Sequence, residues 1–284
     1  MKLLVHLHVF YYSQLDWFID RLSNISGCQW DLYVTEIRHD RSIEHKFNKL
    51  GCKVTYMETE NRGYDIWPFI QVIKSVDLDE YDLIMKLHTK GARDRKYKLK
   101  GLSIRGLQWR DELVDAMLLS RNRFTRVLRH FQNNPKTGLI CSKLCYKKVL
   151  SVYPEDTTIL LDELDRLGFK GTGKWFCAGT MFIARSLIYR FLQTDIVYAG
   201  MFSTASNSCA TGTMAHVYER ILSMAPLAYS YKVKTLATNI FFSIYIPLSH
   251  VLQPFLTWLF SIDRAGKDKT KYLKVFGIRF KLSK

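Results

Sequence analysis

Apolar and polar positions along the chain alternate between the two periods that are typical of strands and of helices. Alternating or continuous short apolar runs predict strands at Leu3–Phe10, Asp31–Ile37, Lys53–Met57, Tyr81–Leu87, Thr137–Ser142 and Trp175–Ile183. Apolar residues spaced three and four apart predict helices at Gln14–Leu22, Ser42–Leu50, Leu107–Asn133, Asp156–Leu167 and Thr213–Ser223. A further helical pattern lies between the third and fourth strands.

The predicted strands and helices alternate from the start of the chain to residue 87. This order favours an α/β fold with a mostly parallel central sheet and helices on both faces. We divide the chain into an α/β domain at residues 1–235 and a C-terminal apolar and basic segment at residues 236–284. His6 and His8 interrupt the first apolar run and no small-residue cleavage site follows it, so we read it as a strand rather than a signal peptide.

The other elements are arranged around residues 61–90, which contain a polar turn, a helix, a strand and a polar tip. In open parallel sheets, ligands bind at the carboxyl ends of the strands, and both the turn and the tip follow such an end. The polar residues expected to share this edge are Asn61, Gly63, Asp65, His88 and Lys90.

The chemistry of this edge suits a phosphorylated ligand. Gly63 allows a tight turn or a close approach, and the start of the following helix favours anions. Lys90 adds a mobile positive charge, and His88 can titrate near neutral pH. The alternative is an ordinary turn in which Asp65 caps the helix and Lys90 is a solvated loop residue.

These residues, together with segments elsewhere, resemble the rhamnan synthesis protein F family over roughly residues 5–225. The segments that carry the resemblance are His8–Tyr11, Asn61–Ile66, Pro68–Phe69, Tyr81–Asp82, Lys86–Lys90, Trp109–Arg110, Ala178–Arg185 and Gly212–Arg220. The resemblance implies a Rossmann-like, glycosyltransferase A-like fold and a role in bacterial surface-polysaccharide assembly. Thr211 stands where an acidic residue is expected and Tyr64 where a basic one is expected, which implies a different sugar or a weaker enzyme.

The resemblance implies a glycosyltransferase that moves a sugar, with rhamnose as a candidate, from a nucleotide-sugar donor to a lipid-linked glycan in O-antigen or capsule synthesis. Asn61, Gly63 and Asp65 would then lie on the nucleotide side, and His88 and Lys90 would face the diphosphate. Glu219 and Asp65 are both candidates for the catalytic base. The further substrate-binding candidates are Lys86, Arg110, Gly179, Thr180, His216 and Arg220. For Gly179 a packing role is the alternative, and His216 could equally be a core histidine.

A-type transferases usually carry an Asp-x-Asp metal motif at a strand end, and this chain lacks it there. Asp77-x-Asp79 lies before the strand and is more typical of a turn. The metal requirement therefore stays open, with Lys90 and basic loop residues as a possible replacement for a metal. The six cysteines form no CxxC pair and no zinc-like spacing, so we expect free thiols and assign no metal ligand.

The net charge of +16 indicates a partner that carries phosphate: a phosphorylated ligand, a nucleic acid or an anionic membrane. No nucleic-acid motif accompanies the charge, so we do not expect nucleic-acid binding. Residues 91–106 are expected to form a mobile loop over the sheet edge. The basic residues of this loop are Arg93, Arg95, Lys96, Lys98 and Lys100.

Residues 240–260 form an apolar run of nearly membrane-spanning length that Pro247 and Pro254 interrupt. We expect this run to lie in the interface of an anionic membrane, which would make the protein peripheral or monotopic at the cytoplasmic face. A buried helical hairpin is the alternative for this run. The alternative for the whole chain is a non-catalytic, membrane-associated scaffold or binding module of the same pathway.

Overall fold

The computed structural model describes residues 1–91, 97–99, 102–149, 155–170, 172–204, 213–265 and 270–282. Its strands, in chain order, are β1 (Lys2–Val9), β2 (Gln29–Glu36), β3 (Lys53–Glu58), β4 (Leu83–His88), β5 (Tyr97–Leu99), β6 (Leu102–Ile104), β7 (Thr137–Ser142), β8 (Tyr146–Lys148), β9 (Trp175–Cys177), β10 (Phe182–Arg185), β11 (Lys232–Leu236), β12 (Phe260–Ala265), β13 (Thr270–Val275) and β14 (Ile278–Lys281). Its α-helices are α1 (Leu15–Leu22), α2 (Glu44–Phe47), α3 (Ile66–Ser75), α4 (Gly106–Leu118), α5 (Arg121–Asn133), α6 (Glu155–Arg166), α7 (Met214–Ala228) and α8 (Ile240–Leu259).

A seven-stranded sheet forms the centre of the fold, in the order β11-β7-β10-β4-β1-β2-β3. Strands β1 to β4 are mutually parallel, and β11 is parallel to β7. Strand β10 runs antiparallel to both of its neighbours, β4 and β7. The sequence-based expectation of an α/β fold with a mostly parallel central sheet is confirmed.

The path of the chain distributes the helices over both faces of the sheet. The chain moves from β1 to β2 to β3 in one direction and then returns across the sheet to β4. Because β-α-β crossovers are right-handed, α1 and α2 cover one face and α3 covers the other. The contacts agree, since α1 packs on α4 while α3 packs on α7.

The central strands are buried on both faces. All six residues of β4 and all six of β7 are buried, which is why both strands read as nearly continuous apolar runs. Lys86 and His88 are the charged and titratable exceptions within β4. A buried lysine in a central strand needs a specific partner, and this need shapes the site described below.

The prediction of a single long helix at residues 107–133 is wrong. The structure has two helices, α4 and α5, separated at Leu119 and Ser120. Ser120 adopts an extended backbone and its hydroxyl accepts a hydrogen bond from the Arg123 backbone N–H at 3.2 Å. This N-cap starts a new helix, so that α5 can fold back against α4.

The prediction of a continuous strand at residues 175–183 is also wrong. It is split into β9 and β10 at Gly179 and Thr180, whose φ values of +93° and +44° are left-handed. Arg185 ends β10 and precedes a 3₁₀ helix at Ser186–Gln193. Left-handed residues cannot continue a strand, so the chain bends here.

The loop predicted at residues 91–106 contains regular structure, because β5 and β6 pair as an antiparallel hairpin. Arg93, Arg95, Lys96 and Lys100 lie outside the described residues, as does the side chain of Lys98. Thr211, one of the two departures from the family pattern, also lies outside them.

The C-terminal segment consists of one helix and a small sheet. Residues 240–259 form the continuous helix α8, not the helical hairpin considered as the alternative. Strands β12, β13 and β14 follow as a separate three-stranded antiparallel sheet. Across the part of the chain that the structure describes, no helix has the length and apolarity needed to cross a membrane.

The helix break yields a first prediction. Ser120→Ala removes the side chain that caps α5, and we expect a loss of about 1 kcal/mol in the free energy of unfolding. Ser120→Asn keeps a capping oxygen and should stay close to the wild type. Urea unfolding followed by circular dichroism measures both. Equal stability of Ser120→Ala and wild type would show that the cap does not determine the break.

Candidate functional site

The site lies where the direction of strand order reverses. Strand β1 is followed by β2 on one side, while β4 lies on its other side, so the carboxyl ends of β1 and β4 border a topological switch point. Ligands of open α/β sheets bind in the crevice at such a point. The tip at His88–Lys90 and the first turn after β1 both lie there.

A stripe of polar side chains runs along one face of β1 and β4 toward this edge. In the β1–β4 register, His6 is opposite Lys86 and His8 is opposite His88. Paired and alternate residues share a face of a sheet, so these four side chains lie together. The His6 ring is 5.6 Å from the ring of Phe69, which places the stripe under α3.

Thr35 on β2 holds both histidines of β1. Its hydroxyl oxygen is 2.8 Å from His6 Nε2 and 3.0 Å from His8 Nδ1. A hydroxyl has one proton, so it can donate to one imidazole at most, and the other ring must donate to Thr35. The three side chains therefore form a directed hydrogen-bond chain inside the protein.

A buried ion pair joins the turn to the stripe. Lys86 is fully buried, and its ammonium forms an ion pair with Asp65 Oδ2. Asp65 occupies the N-cap position of α3, yet its side chain makes no capping hydrogen bond. The carboxylate instead points at Lys86, so the alternative interpretation of Asp65 as an ordinary helix cap is wrong.

Thr180 completes this cluster from a third part of the chain. Its hydroxyl donates to Asp65 Oδ2 at 2.8 Å and accepts from Lys86 Nζ at 3.1 Å. His88 Nδ1 lies 3.3 Å from the same carboxylate oxygen without the alignment of a hydrogen bond. The Asp65 carboxylate of the turn thus contacts side chains from two other parts of the chain, the strand β4 and the β9–β10 break.

Burial controls the protonation of these groups. Burial lowers the pKa of His8 to about 4 and keeps the pKa values of His6 and His88 well below their usual value. Burial also lowers the pKa of Lys86, although Asp65 opposes this effect. Burial would raise the pKa of Asp65, but His88 and Lys86 hold it well below its usual range. Because the His88 imidazole is neutral at pH 7, we regard Lys86 as the cation that pairs with Asp65.

The break between β9 and β10 requires its glycine. A Cβ on Gly179 would lie 2.7 Å from Leu113 Cδ1, and the backbone is left-handed there. The Gly179 N–H donates to Glu219 Oε1 at 2.7 Å. Gly179 therefore has both the packing role considered as its alternative and a contact to a candidate catalytic residue.

Glu219, His216 and Arg220 lie on helix α7. His216 is only partly buried; its Nδ1 is 2.8 Å from the Thr213 hydroxyl, and its ring is 5.8 Å from the ring of Tyr64. Arg220 is buried and donates to the His216 carbonyl at 2.6 Å. His216 thus contacts the turn through Tyr64 and Glu219 contacts the β9–β10 break, whereas Arg220 is directed into the core.

The turn at residues 61–65 is held rigidly by distant residues. The Gly63 N–H donates to the Ser203 carbonyl at 3.1 Å, and a Cβ there would lie 3.0 Å from Trp67 Cβ. Tyr64 has a left-handed φ of +54°, which is unusual for a residue with a large side chain. Asn61 is exposed at the rim. The conformation of the turn therefore orients the Asp65 side chain toward Lys86.

Hydrogen bonds of side chains connect the residues that follow β1 with the residues that follow β4. The Thr89 hydroxyl oxygen accepts from the backbone N–H of Phe10 at 2.8 Å and of Tyr11 at 3.0 Å. The Gln14 side chain bonds both the N–H and the carbonyl of Lys90. These bonds fix the shape of the crevice between the two strands.

Lys90 and Arg110 occupy different environments near this edge. The Lys90 ammonium lies 4.2 Å from the centre of the Trp109 ring, on a partly buried side chain. Arg110 is buried, stacks on Trp17 and bonds the neighbouring Asp111. Lys90 is therefore partly exposed at the edge, whereas Arg110 packs between helices α1 and α4.

Four residues of this site were not among the sequence candidates, and two of them left a signal. His6 and His8 are two apart in an apolar strand, a spacing that puts both on one face. The same spacing holds for Lys86 and His88. Gln14 and Thr35 belong to ordinary helix-start and strand patterns, so no signal in the sequence could have identified them.

The expected turn at Asp77 and Asp79 is confirmed, since the Asp77 carboxylate accepts from the Asp79 N–H at 2.9 Å ahead of β4. Within the described residues, no three histidine, cysteine or acidic side chains gather into a group that could hold a metal ion. Asp65, the carboxylate of the cluster, is paired with an ammonium. The donor set of a divalent cation is not assembled among these residues.

Comparisons with known proteins agree with the family resemblance of the sequence. The model of the family described as "Rhamnan synthesis protein F" matches residues 1–231. Two proteins from strains of Xanthomonas campestris pv. campestris, each called "Uncharacterized protein WxcX", are 26% identical to this chain over 245 residues. The alignment covers 81% of this chain but only 32% of each relative, so the chain spans about a third of the length of the curated relatives it matches.

The buried ion pair predicts non-additive stability effects. Lys86→Met leaves the partly buried Asp65 without its cation, and Asp65→Asn leaves the fully buried Lys86 without its anion. Each should lower the free energy of unfolding by about 3 kcal/mol or more. The double variant removes both charges and should lose clearly less than the sum of the two. Urea unfolding of the three variants measures the coupling, and simple additivity would contradict the pairing.

The histidine stripe predicts a pH dependence of stability. The unfolded chain protonates His8 near pH 6.5, whereas the folded chain does so only near pH 4. The unfolded state thus binds more protons between these values, and stability present above pH 6.5 is lost as the pH falls. For His8 the loss between pH 7 and pH 5 is about 2 kcal/mol.

His8→Gln should flatten this pH dependence, because glutamine does not titrate. His39 acts with the opposite sign, since hydrogen bonds to Glu36 and Glu44 raise its pKa, but it is present in both proteins and cancels in the comparison. The exposed His45→Gln variant is the matched control. Urea midpoints at pH 5, 6 and 7 test the prediction, and identical slopes for wild type and His8→Gln would refute it.

Proposed function

Because the chain belongs to the rhamnan synthesis protein F family, we propose that it is a glycosyltransferase of bacterial surface-polysaccharide synthesis. It transfers a sugar, with rhamnose as the first candidate, from a nucleotide-sugar donor to a lipid-linked glycan. Since nucleotide sugars are made in the cytoplasm, the reaction takes place at the inner face of the cytoplasmic membrane. The proposal concerns the matched α/β region, because the relatives extend far beyond it.

The observation that carries the proposal is the convergence of three chain segments at the switch point. Asp65 from the turn, Lys86 from β4 and Thr180 from the β9–β10 break form one hydrogen-bonded cluster around the buried Lys86 ammonium. A rigid cluster behind the carboxyl edge supports a crevice of fixed shape, which a transferase needs to orient two substrates. Ligand binding at this edge is the general rule for such sheets.

The leaving nucleoside diphosphate develops negative charge, which the protein must stabilise. Lys86 cannot do this from its buried pairing with Asp65. Lys90 follows β4 at this edge with its ammonium over the Trp109 ring, and the N-terminus of α3, where backbone N–H groups also favour anions, belongs to the same edge. We therefore assign the diphosphate to Lys90 and the start of α3, with His88 as a neutral hydrogen-bonding group below it.

The acceptor hydroxyl needs a base, and the geometry distinguishes the two candidates. The pKa of Asp65 is held well below its usual range, so this carboxylate is a poor proton acceptor. Glu219 is partly exposed and accepts the Gly179 N–H at 2.7 Å with one oxygen. We propose Glu219 as the base.

A non-catalytic binding module is the second candidate function. The observation that favours it is the ion pair between Asp65 and Lys86, in which the two charges neutralise each other. Neither charge is therefore free to act on a substrate. A protein of this kind would bind the donor or the glycan without turnover. Donor binding without release of nucleoside diphosphate is the result that separates it from the transferase.

Two substitutions test the assigned roles. Glu219→Gln keeps an oxygen for the Gly179 N–H but removes the base, so turnover should fall by about 10²–10⁴ while donor binding is retained. Lys90→Met keeps the apolar stem over Trp109 but removes the charge, so donor binding should weaken by about tenfold or more. The exposed Lys49→Met variant is the control for loss of a lysine elsewhere.

The measurement is calorimetric titration with a panel of UDP-, GDP- and dTDP-sugars, with and without magnesium or manganese. Turnover is measured as release of nucleoside diphosphate in the presence of bacterial membranes that supply the acceptor. Failure of the folded protein to bind any donor of the panel would refute the transferase. Full turnover by Glu219→Gln would refute the assignment of the base.

A further inference from the structure

Helix α8 carries a long apolar stripe on its outer side. Residues 241, 244, 248, 252 and 255 recur at helical spacing and so lie along one side of the helix. Their side chains, Phe241, Ile244, Leu248, Leu252 and Phe255, are between 41% and 62% exposed. The stripe is about 21 Å long at the rise of an α-helix.

The opposite side of the helix packs against the protein. Ile246 and Ser249 are buried, while Phe242 and Tyr245 pack against the hydrophobic core. The helix is therefore attached by one side and leaves an apolar side uncovered. Exposed apolar surfaces of this extent mark interaction sites.

The stripe continues into the C-terminal sheet at one corner. The Phe255 ring is 6.1 Å from Trp258, and Trp258 packs edge-on against Phe276 at 5.7 Å. The Gly277 N–H donates to the Trp258 carbonyl at 2.8 Å, and the Phe276 N–H donates to the Leu259 carbonyl at 3.0 Å. The β13–β14 turn is thus tied to the end of the helix, and its aromatic residues extend the stripe.

The C-terminal sheet separates apolar from basic residues. On β14, Ile278 and Phe280 alternate with Arg279 and Lys281, so the two pairs lie on opposite faces. Ile278 and Phe280 are exposed. Lys274 is opposite Arg279 in the register, which adds a third basic residue to the basic face.

Charge identifies the partner. Residues 240–262 contain no lysine, arginine, aspartate or glutamate, whereas residues 260–284 contain eight basic and two acidic residues. An apolar stripe with aromatic residues at its end and a basic cluster beside it matches the interface of an anionic bilayer. A second copy of the chain would bring the same positive charge against it and would be repelled.

We propose that the α8 stripe, Trp258, Phe276 and the apolar face of β14 form a surface that docks on an anionic lipid bilayer. The apolar side chains enter the boundary between headgroups and acyl chains. The basic side chains on the other face of the small sheet stay within a Debye length of the headgroups, which is about 8–10 Å. Vesicle binding can be measured without any sugar donor, so this surface is tested independently of the proposed activity.

The test uses the full chain and flotation with two kinds of vesicle, phosphatidylcholine only and phosphatidylcholine with phosphatidylglycerol. Wild type should float with the anionic vesicles and lose binding as salt is raised. Leu248→Asp with Phe255→Asp should weaken this binding at least tenfold. The matched control is Leu161→Asp with Leu187→Asp, two exposed leucines outside the surface, and it should bind like wild type.

A second set of variants separates the local basic cluster from the overall charge of the protein. Reversal of Lys274, Arg279 and Lys281 to glutamate should weaken binding about a hundredfold. Reversal of the exposed Lys136, Lys232 and Lys234 changes the net charge equally and should have a much smaller effect. Circular dichroism confirms that each variant is folded.

Several results would overturn the proposal. Wild type that floats with neither vesicle, or stripe variants that float as well as their leucine controls, would show that the surface does not bind lipid. A wild type that is dimeric by light scattering and becomes monomeric in the stripe variants would show that a second copy occupies the surface. Equal losses in the two charge-reversal sets would show that net charge, and not this surface, drives binding.

Discussion

The ion pair between Asp65 and Lys86 is the interaction on which the functional edge depends. A fully buried ammonium in a central strand is costly unless a carboxylate meets it. The chain supplies that carboxylate from the start of α3 and adds the Thr180 hydroxyl from the β9–β10 break. Tyr64 and Thr180 adopt left-handed backbone conformations next to these contacts. Such strained residues persist where surrounding contacts hold them, and here they deliver two polar groups to one lysine.

The same pair determines the electrostatics of the crevice. Asp65 neutralises Lys86, and burial keeps His6, His8 and His88 uncharged at neutral pH. The cluster therefore carries no net positive charge. Under the proposed function, the charge for a diphosphate comes from the rim, where Lys90 and the start of α3 are found. Because Asp65 and Lys86 neutralise each other and the histidines are uncharged, these ionisable groups can be buried together.

The sequence predicted the sheet well and the site only in part. Strands β1 to β4 follow from short apolar runs, and their parallel order follows from the helices between them. The break at Gly179 could not be predicted from the spacing of apolar residues along the chain, because the residues on both sides of it are apolar. The break between α4 and α5 depends on a single capping side chain, Ser120, within a continuous helical pattern. The pairing of Asp65 with Lys86 could not be inferred either, since it depends on how β4 and α3 pack.

A large part of the positive charge of the chain is concentrated near its C-terminal end. Six of its sixteen net charges lie in residues 260–284, next to the apolar stripe of α8 and apart from the switch point. The proposed transferase would take its donor from solution and its acceptor from a bilayer. The proposed docking on the bilayer would confine the protein with the acceptor and raise their effective concentration without any new contact to the glycan. Under these two proposals the crevice needs to bind only the donor tightly, which suits a site with a lysine, Lys90, at its rim.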